Sequence, residues 1–160
     1  MKRTSAQNMS STLLCLVVST FMYLCCSCNR DQGRELVNAA GLSTNEVIRV
    51  LRSGADVNRR SRSIFGWTPL ISAIRHHKEE VVDVLLAHGA DVNLGDGINQ
   101  TPLVSAIEIW PENTNLIWKL MQHGADPKVR NCYGCDAFEM ARTESNSAEI
   151  LEIIGQKVGK

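Results

Sequence analysis

Five residues, Gly54-Ala55-Asp56-Val57-Asn58, return 35 positions later as Gly89-Ala90-Asp91-Val92-Asn93 and return again, shortened, as Gly124-Ala125-Asp126-Pro127. A second string, Thr68-Pro69-Leu70-Ile71-Ser72-Ala73, returns after 33 positions as Thr101-Pro102-Leu103-Val104-Ser105-Ala106. Two motifs repeating in phase mean a chain built by stacking like units, each too thin to bury its apolar face alone. The local chemistry between the motifs is helical. A Thr hydroxyl can cap a helix whose first residue is Pro, where the missing N–H costs nothing. Val81, Val82, Leu85 and Leu86 then recur at one-face helical spacing, as do Leu116, Ile117, Leu120 and Met121. Gly89 and Gly124 fall where a left-handed residue ends a helix most cheaply. His88 and His123 stand in the last turn, where the helix dipole tolerates positive charge.

Together these strings resemble the ankyrin repeat, with its Thr-Pro-Leu start, two short helices and Gly-Ala-Asp-x-Asn exit. The resemblance implies an all-α ankyrin-repeat solenoid of about four stacked helix-turn-helix units with hairpin loops, occupying residues 34–158. A capping repeat at 34–58 keeps Leu36, Ala39, Ala40, Val47, Ile48, Val50 and Leu51 but lacks the Thr-Pro-Leu start. Repeats at 59–93 and 94–127 follow, then a degenerate C-terminal repeat at 128–158. In that last unit Asp136 stands in for the capping Thr and Ala137 for Pro, and an early Gly155 after Ile150, Leu151, Ile153 and Ile154 leaves the register open by one residue. The family's His after Thr-Pro-Leu is Ile71, Val104 and Glu139 here, which removes a polar bridge between neighbouring loops. Two insertions of two residues each are expected, one in the first hairpin between Asn58 and Thr68, the other around Trp110-Pro111-Glu112-Asn113.

By the same resemblance, the chain is expected to bind a protein partner through hairpin tips and first helices, and to catalyse nothing. The positions that vary in the family are Arg59, Arg60, Arg62, Ile64, Phe65 and Trp67 in the first hairpin. In the first helices they are Ser72, Arg75, His76, Ser105, Glu108 and Arg142, and the later tips add Leu94, Asp96, Ile98 and Tyr133. The first hairpin is the sharpest candidate, since arginine beside large aromatics is what interface anchors favour. It points to an acidic partner. Trp67 taken alone fits equally well as packing against the next repeat. Trp110 offers a second exposed candidate, whereas Trp118, inside a helix, is expected in the core.

Lys plus Arg equals Asp plus Glu at 17 each, so no net charge drives the chain to nucleic acid. No small-molecule substrate or cofactor is indicated. Residues 1–28 have the layout of a secretory signal: Lys2 and Arg3, then an apolar run from Leu13 to Cys26, then small residues. The run is short for a spanning helix, which needs about 20 apolar residues. Ser27-Cys28 resembles the lipobox of bacterial lipoproteins, with Cys25 where that family usually has Leu. Lipid on Cys28 would hold the domain at a membrane, with 29–33 as a short linker; simple cleavage would release it. The expected location is the periplasm or cell-envelope membrane in a bacterium and the secretory pathway in a eukaryote. Cys132-Tyr133-Gly134-Cys135 is expected to close as a local disulfide stiffening the last repeat. The alternative is a thiol-disulfide redox centre using the same pair. The four histidines show no paired spacing that would complete a metal site with it.

Overall fold

The computed structural model describes residues 33–156. The signal segment, Cys28 and most of the linker lie outside the described residues; Gly33, assigned to the linker, is helical. Eight helices are formed among the described residues, and no strand. Helix α1 covers 33–40, and α2 Thr44–Arg52 completes the first unit. The second unit is α3 Pro69–Arg75 with α4 Glu79–Ala87, and the third is α5 Pro102–Ile109 with α6 Thr114–Gln122. Helices α7 Ala137–Ala141 and α8 Ser147–Gly155 form the fourth.

Helix starts follow the sequence closely. Thr68 and Thr101, both extended, accept the N–H of Ile71 and Val104 in their hydroxyls, and Pro opens each helix. Asp136 does the same for Glu139, whose carboxylate reaches back to the Asp136 N–H and closes a capping box. Such a cap is worth about 1 kcal/mol. Helix stops follow equally: Gly54, Gly89 and Gly124 sit at φ of 88°, 82° and 93° immediately beyond α2, α4 and α6.

First helices α3, α5 and α7 stack in one row, and α6 packs on α8 and α2 on α4 in the other. One continuous apolar cluster runs between the rows from Leu36 to Ile154. Each fully buried Leu or Ile contributes about 1.5–3 kcal/mol, so no single layer is expendable. In α8 the buried positions are Ile150 and Ile154, with Leu151 and Ile153 at the flank and Gly155 as the last helical residue, which fixes the register.

The insertion near Trp110 is shared between two features. Helix α5 has 8 residues where α3 has 7, and the connection 110–113 replaces 76–78. Asn113 caps α6 and also donates from Nδ2 to Glu79 Oε2 at 3.1 Å, while Asn146 Nδ2 reaches Pro111 O at 2.7 Å. The positions where the family has His are filled by buried Ile71 and Val104. Asparagines make the junctions instead. Asn58 Oδ1 accepts the N–H of Asp91 at 2.7 Å and Asn93 Oδ1 that of Asp126 at 2.8 Å.

Candidate functional site

Three hairpins project from the edge where first helices begin. Each is closed by one main-chain bond: Ser61 N to Trp67 O at 2.8 Å, Asp96 N to Gln100 O at 3.1 Å, Asn131 N to Cys135 O at 3.0 Å. The residue before each closure is left-handed: Gly66 at φ 57°, Asn99 at 59°, Gly134 at 81°. Within the second and third hairpins a side-chain oxygen holds the turn from inside. Asp96 Oδ1 accepts the N–H groups of Ile98 and Gln100, and Asn131 Oδ1 those of Tyr133 and Cys135. The first hairpin spends its two extra residues here. Ser61 closes the hairpin, Ser63 O accepts the N–H of Gly66 at 3.0 Å, and the two hydroxyls bond each other at 2.8 Å.

Successive tips are tied in a chain. Gly97 N donates to Phe65 O at 2.8 Å, Cys132 N to Ile98 O at 2.9 Å, and Arg60 Nε to Gly95 O at 2.8 Å. This chaining aligns the apolar tips. Ile64 is 91% exposed, Tyr133 74%, Phe65 54% and Ile98 37%. At the first tip Phe65 stacks on Trp67 with ring centres 5.2 Å apart, and the Arg75 guanidinium lies 4.9 Å from the Trp67 ring centre. Half-buried Trp67 is thus held by its own hairpin and by the end of α3, and one edge stays open to solvent.

Beside this hairpin lies a cleft of about 470 Å³, with Arg34, Val37 and Asn38 of α1 on one side and Arg62, Phe65 and Trp67 on the other. Arg59, outside the cleft lining, lays its stem over Gly33, where a Cβ would stand 2.7 Å from Arg59 Cγ. A larger residue at this position would have to displace the arginine stem. No residue of α1 was among the contact positions expected from the sequence.

Several expected contact residues are placed elsewhere. Ser72 and Ser105 are buried, at 1% and 0% exposure, and cannot meet a partner. The cause is the double burial of first helices: every residue from Pro69 to Ile74 and from Pro102 to Ile107 is enclosed between layers. Ser72 Oγ donates to Val37 O at 2.7 Å. Only the helix ends emerge, which leaves Arg75, His76, Glu108 and Arg142 at the surface. His76 rests its ring against Gly41, with Nδ1 2.8 Å from Ser72 O. Glu108 pairs with Gln100. Leu94 is half-buried and Asp96 buried, so of the second tip Ile98 alone is presented among the three named.

The two tryptophans outside the hairpin exchange roles. Trp118, expected in the core, is 44% exposed on α6. Trp110, expected to be exposed, packs on the core cluster and against the edge of His77, ring centres 4.6 Å apart. Trp118 falls outside the α6 face formed by Leu116, Ile117, Leu120 and Met121, as Asp83 does on α4. The pair expected to form a disulfide carries free thiols in this structure, Cys132 exposed and Cys135 half-buried. Asn131 already closes that hairpin through its backbone and its side chain. Among the described residues no group of three or more His, Cys, Asp or Glu could hold a metal ion.

A family model described as ankyrin repeats in three copies matches residues 36–131. A cattle mitochondrial disaggregase is 54% identical over 54 residues, 34% of this chain and 8% of that protein. Human BCL-6 corepressor-like protein 1 is 29% identical over 120 residues, 73% of this chain and 6% of its own length. Human ankyrin repeat and SOCS box protein 6 is 29% identical over 101 residues, 63% of this chain and 24% of that protein. The chain therefore spans under a third of each relative, and the disaggregase name describes a protein of which it matches a small part. These relatives are animal proteins and lend no support to the bacterial origin that the lipobox resemblance implied.

Proposed function

The chain belongs to the ankyrin-repeat family, whose stacked repeats serve as protein-interaction modules, and from that premise we propose that it is a non-catalytic binder gripping its partner chiefly through the first hairpin. The observation that carries this reading is the exposure of Ile64 and Phe65 on a tip whose aromatic stack with Trp67 is already ordered. Apolar side chains held ready in solvent release water on binding and lose little further entropy. Arg62 and Arg75 flank them and favour an acidic surface. Ile98 and Tyr133 extend the same apolar row along the later tips. The test is affinity capture from the native source with the full chain, comparing wild type with Ile64→Ser/Phe65→Ser. A partner retained equally by both proteins would remove the first hairpin from the interface.

Export, with lipid attached at Cys28 or with the leader simply cleaved, is the second part of the proposal. It is supported by the charge and hydropathy layout of residues 1–28 and by Ser27-Cys28. Metabolic labelling with an alkynyl fatty acid, in wild type and Cys28→Ala, separates its two forms. An unlabelled chain recovered with Met1 intact would sink both.

A further inference from the structure

The junctions between tips repeat, and the repeat breaks at the cleft beside α1. In hairpin two the N–H one residue past the opening position, Gly97, takes the carbonyl of the preceding tip, Phe65; in hairpin three Cys132 takes that of Ile98. Counted from the opening residue, Arg62 holds this position in hairpin one; counted back from the closing residue, Ile64 does. Among the described residues no acceptor reaches either N–H. Of the two, Arg62 lines the cleft. Nor does any described residue pair with the guanidinium of Arg62 or of Arg34, both of which line the same cleft.

From this vacancy we propose that the cleft takes an extended acidic segment of the partner protein, seated as though it were the tip of one more repeat. The inference rests on the binding role proposed above and deepens it. A main-chain carbonyl of the segment accepts the Arg62 N–H, as Phe65 O accepts that of Gly97. A neighbouring Asp or Glu is held by the Arg34 and Arg62 guanidinium groups, which suit a carboxylate by their planar fork. An apolar side chain beside it covers Val37 and the Phe65–Trp67 stack. Each side of the cleft offers one arginine and an apolar surface, so the segment that fits carries acidic and apolar side chains in alternation. Val37 and the ring stack disfavour a ligand that is charged along its whole length.

The probe is a fluorescent, end-blocked decapeptide alternating Glu and Leu, titrated against the full chain by anisotropy, with Lys–Leu and Glu–Ser decapeptides and a single-stranded oligonucleotide as comparisons. Binding of the Glu–Leu peptide alone is expected. Arg34→Ala and Arg62→Ala should each weaken it about tenfold, the loss of one charge-assisted hydrogen bond. Hydrogen exchange at the Arg62 amide should be fast in the free protein and slow in the complex. Equal binding of the oligonucleotide or of the Lys–Leu peptide overturns the proposal. So does an Arg62 amide already protected in the free chain, which would mean that another part of the chain or a second copy fills the position. If partner capture needs Ile64 and Phe65 but is indifferent to Arg34, the cleft proposal fails while the hairpin reading stands.

Discussion

The side chain of Asn58 forms a two-point clamp with the next repeat: its Oδ1 accepts the N–H of Asp91 at 2.7 Å while its Nδ2 donates to Gly89 O at 3.3 Å. Asn93 repeats the clamp one unit on, with Asp126 N at 2.8 Å and Gly124 O at 3.0 Å. At the following position the chain has Lys128, and the series ends. Each clamp joins the segment that follows one second helix to the segment that follows the next, so it couples the repeats directly. Asn93→Ala is expected to cost about 1–2 kcal/mol, the net worth of two partly exposed hydrogen bonds. Asn93→Asp keeps the acceptor for Asp126 N but turns a second oxygen against Gly124 O, so it should cost at least as much. Urea denaturation of both variants measures this, and an unchanged midpoint in Asn93→Ala would deny the clamp its coupling role.

Asp96 and Asn131 perform one task with different chemistry. Each is buried, and each uses Oδ1 to accept two N–H groups inside its turn. Nothing in that geometry needs the negative charge of Asp96. Asp96→Asn should therefore change stability by less than about 0.5 kcal/mol, the scale of neutral substitutions. Asp96→Ala leaves the buried Gln100 N–H and the part-buried Ile98 N–H without a partner and should cost about 2 kcal/mol. Thermal unfolding of the two variants checks the contrast; a large loss in Asp96→Asn would show that the charge matters.

Lys119 of α6 crosses to α4, 3.2 Å from Glu79 Oε1 and 2.5 Å from Asp83 Oδ1. Partial burial acts to lower its pKa, but the hydrogen bonds and charges of Asp83 and Glu79 outweigh it and raise the pKa above the ordinary 10.5. A raised folded-state pKa stabilises the fold fully below the unfolded value, and the gain is lost as pH climbs through the folded one. Since Asp83 is more than half exposed, solvent limits the effect to about 0.5–1 kcal/mol. Lys119→Gln should show that deficit at pH 7 and approach wild type above the folded pKa. A deficit that persists unchanged there would point to lost packing of the lysine stem.

Helix ends were legible in the sequence because caps and stops are decided within four residues. Thr68, Thr101, Asp136 and the three glycines acted as their local chemistry dictates. Positions whose fate depends on neighbouring layers were not. Ser72 and Ser105 sit among apolar residues on short helices, and no local pattern distinguishes a helix covered on several sides from one with an open face. Trp110 was misplaced because the burial of a loop residue depends on the layers beside it, and Trp118 because it lies outside the α6 face of Leu116, Ile117, Leu120 and Met121. The cleft beside α1 joins residues about 30 apart in the chain, Arg34 and Arg62, and only the stacking of the first unit on the second brings them together.

Cys132 and Cys135 bracket a turn that Asn131 already holds. The Asn131 side chain accepts two N–H groups at 3.0 Å each, its N–H donates to Cys135 O at 3.0 Å, and its carbonyl accepts from Gly134 N at 3.0 Å. A disulfide stabilises mainly by restricting the unfolded chain, and a loop this short restricts it least. The two thiols are therefore expected to be dispensable to the fold. Cys132→Ser/Cys135→Ser should unfold within about 0.5 kcal/mol of wild type, in the presence and absence of a reducing agent. Asn131→Ala should cost about 1–2 kcal/mol under both conditions, since it removes two part-buried hydrogen bonds inside the turn. The comparison separates the two devices because each variant leaves the other intact. If reduction alone lowers the wild-type midpoint, and the double serine variant matches the reduced protein, the cysteines staple this hairpin after all and Asn131 is secondary.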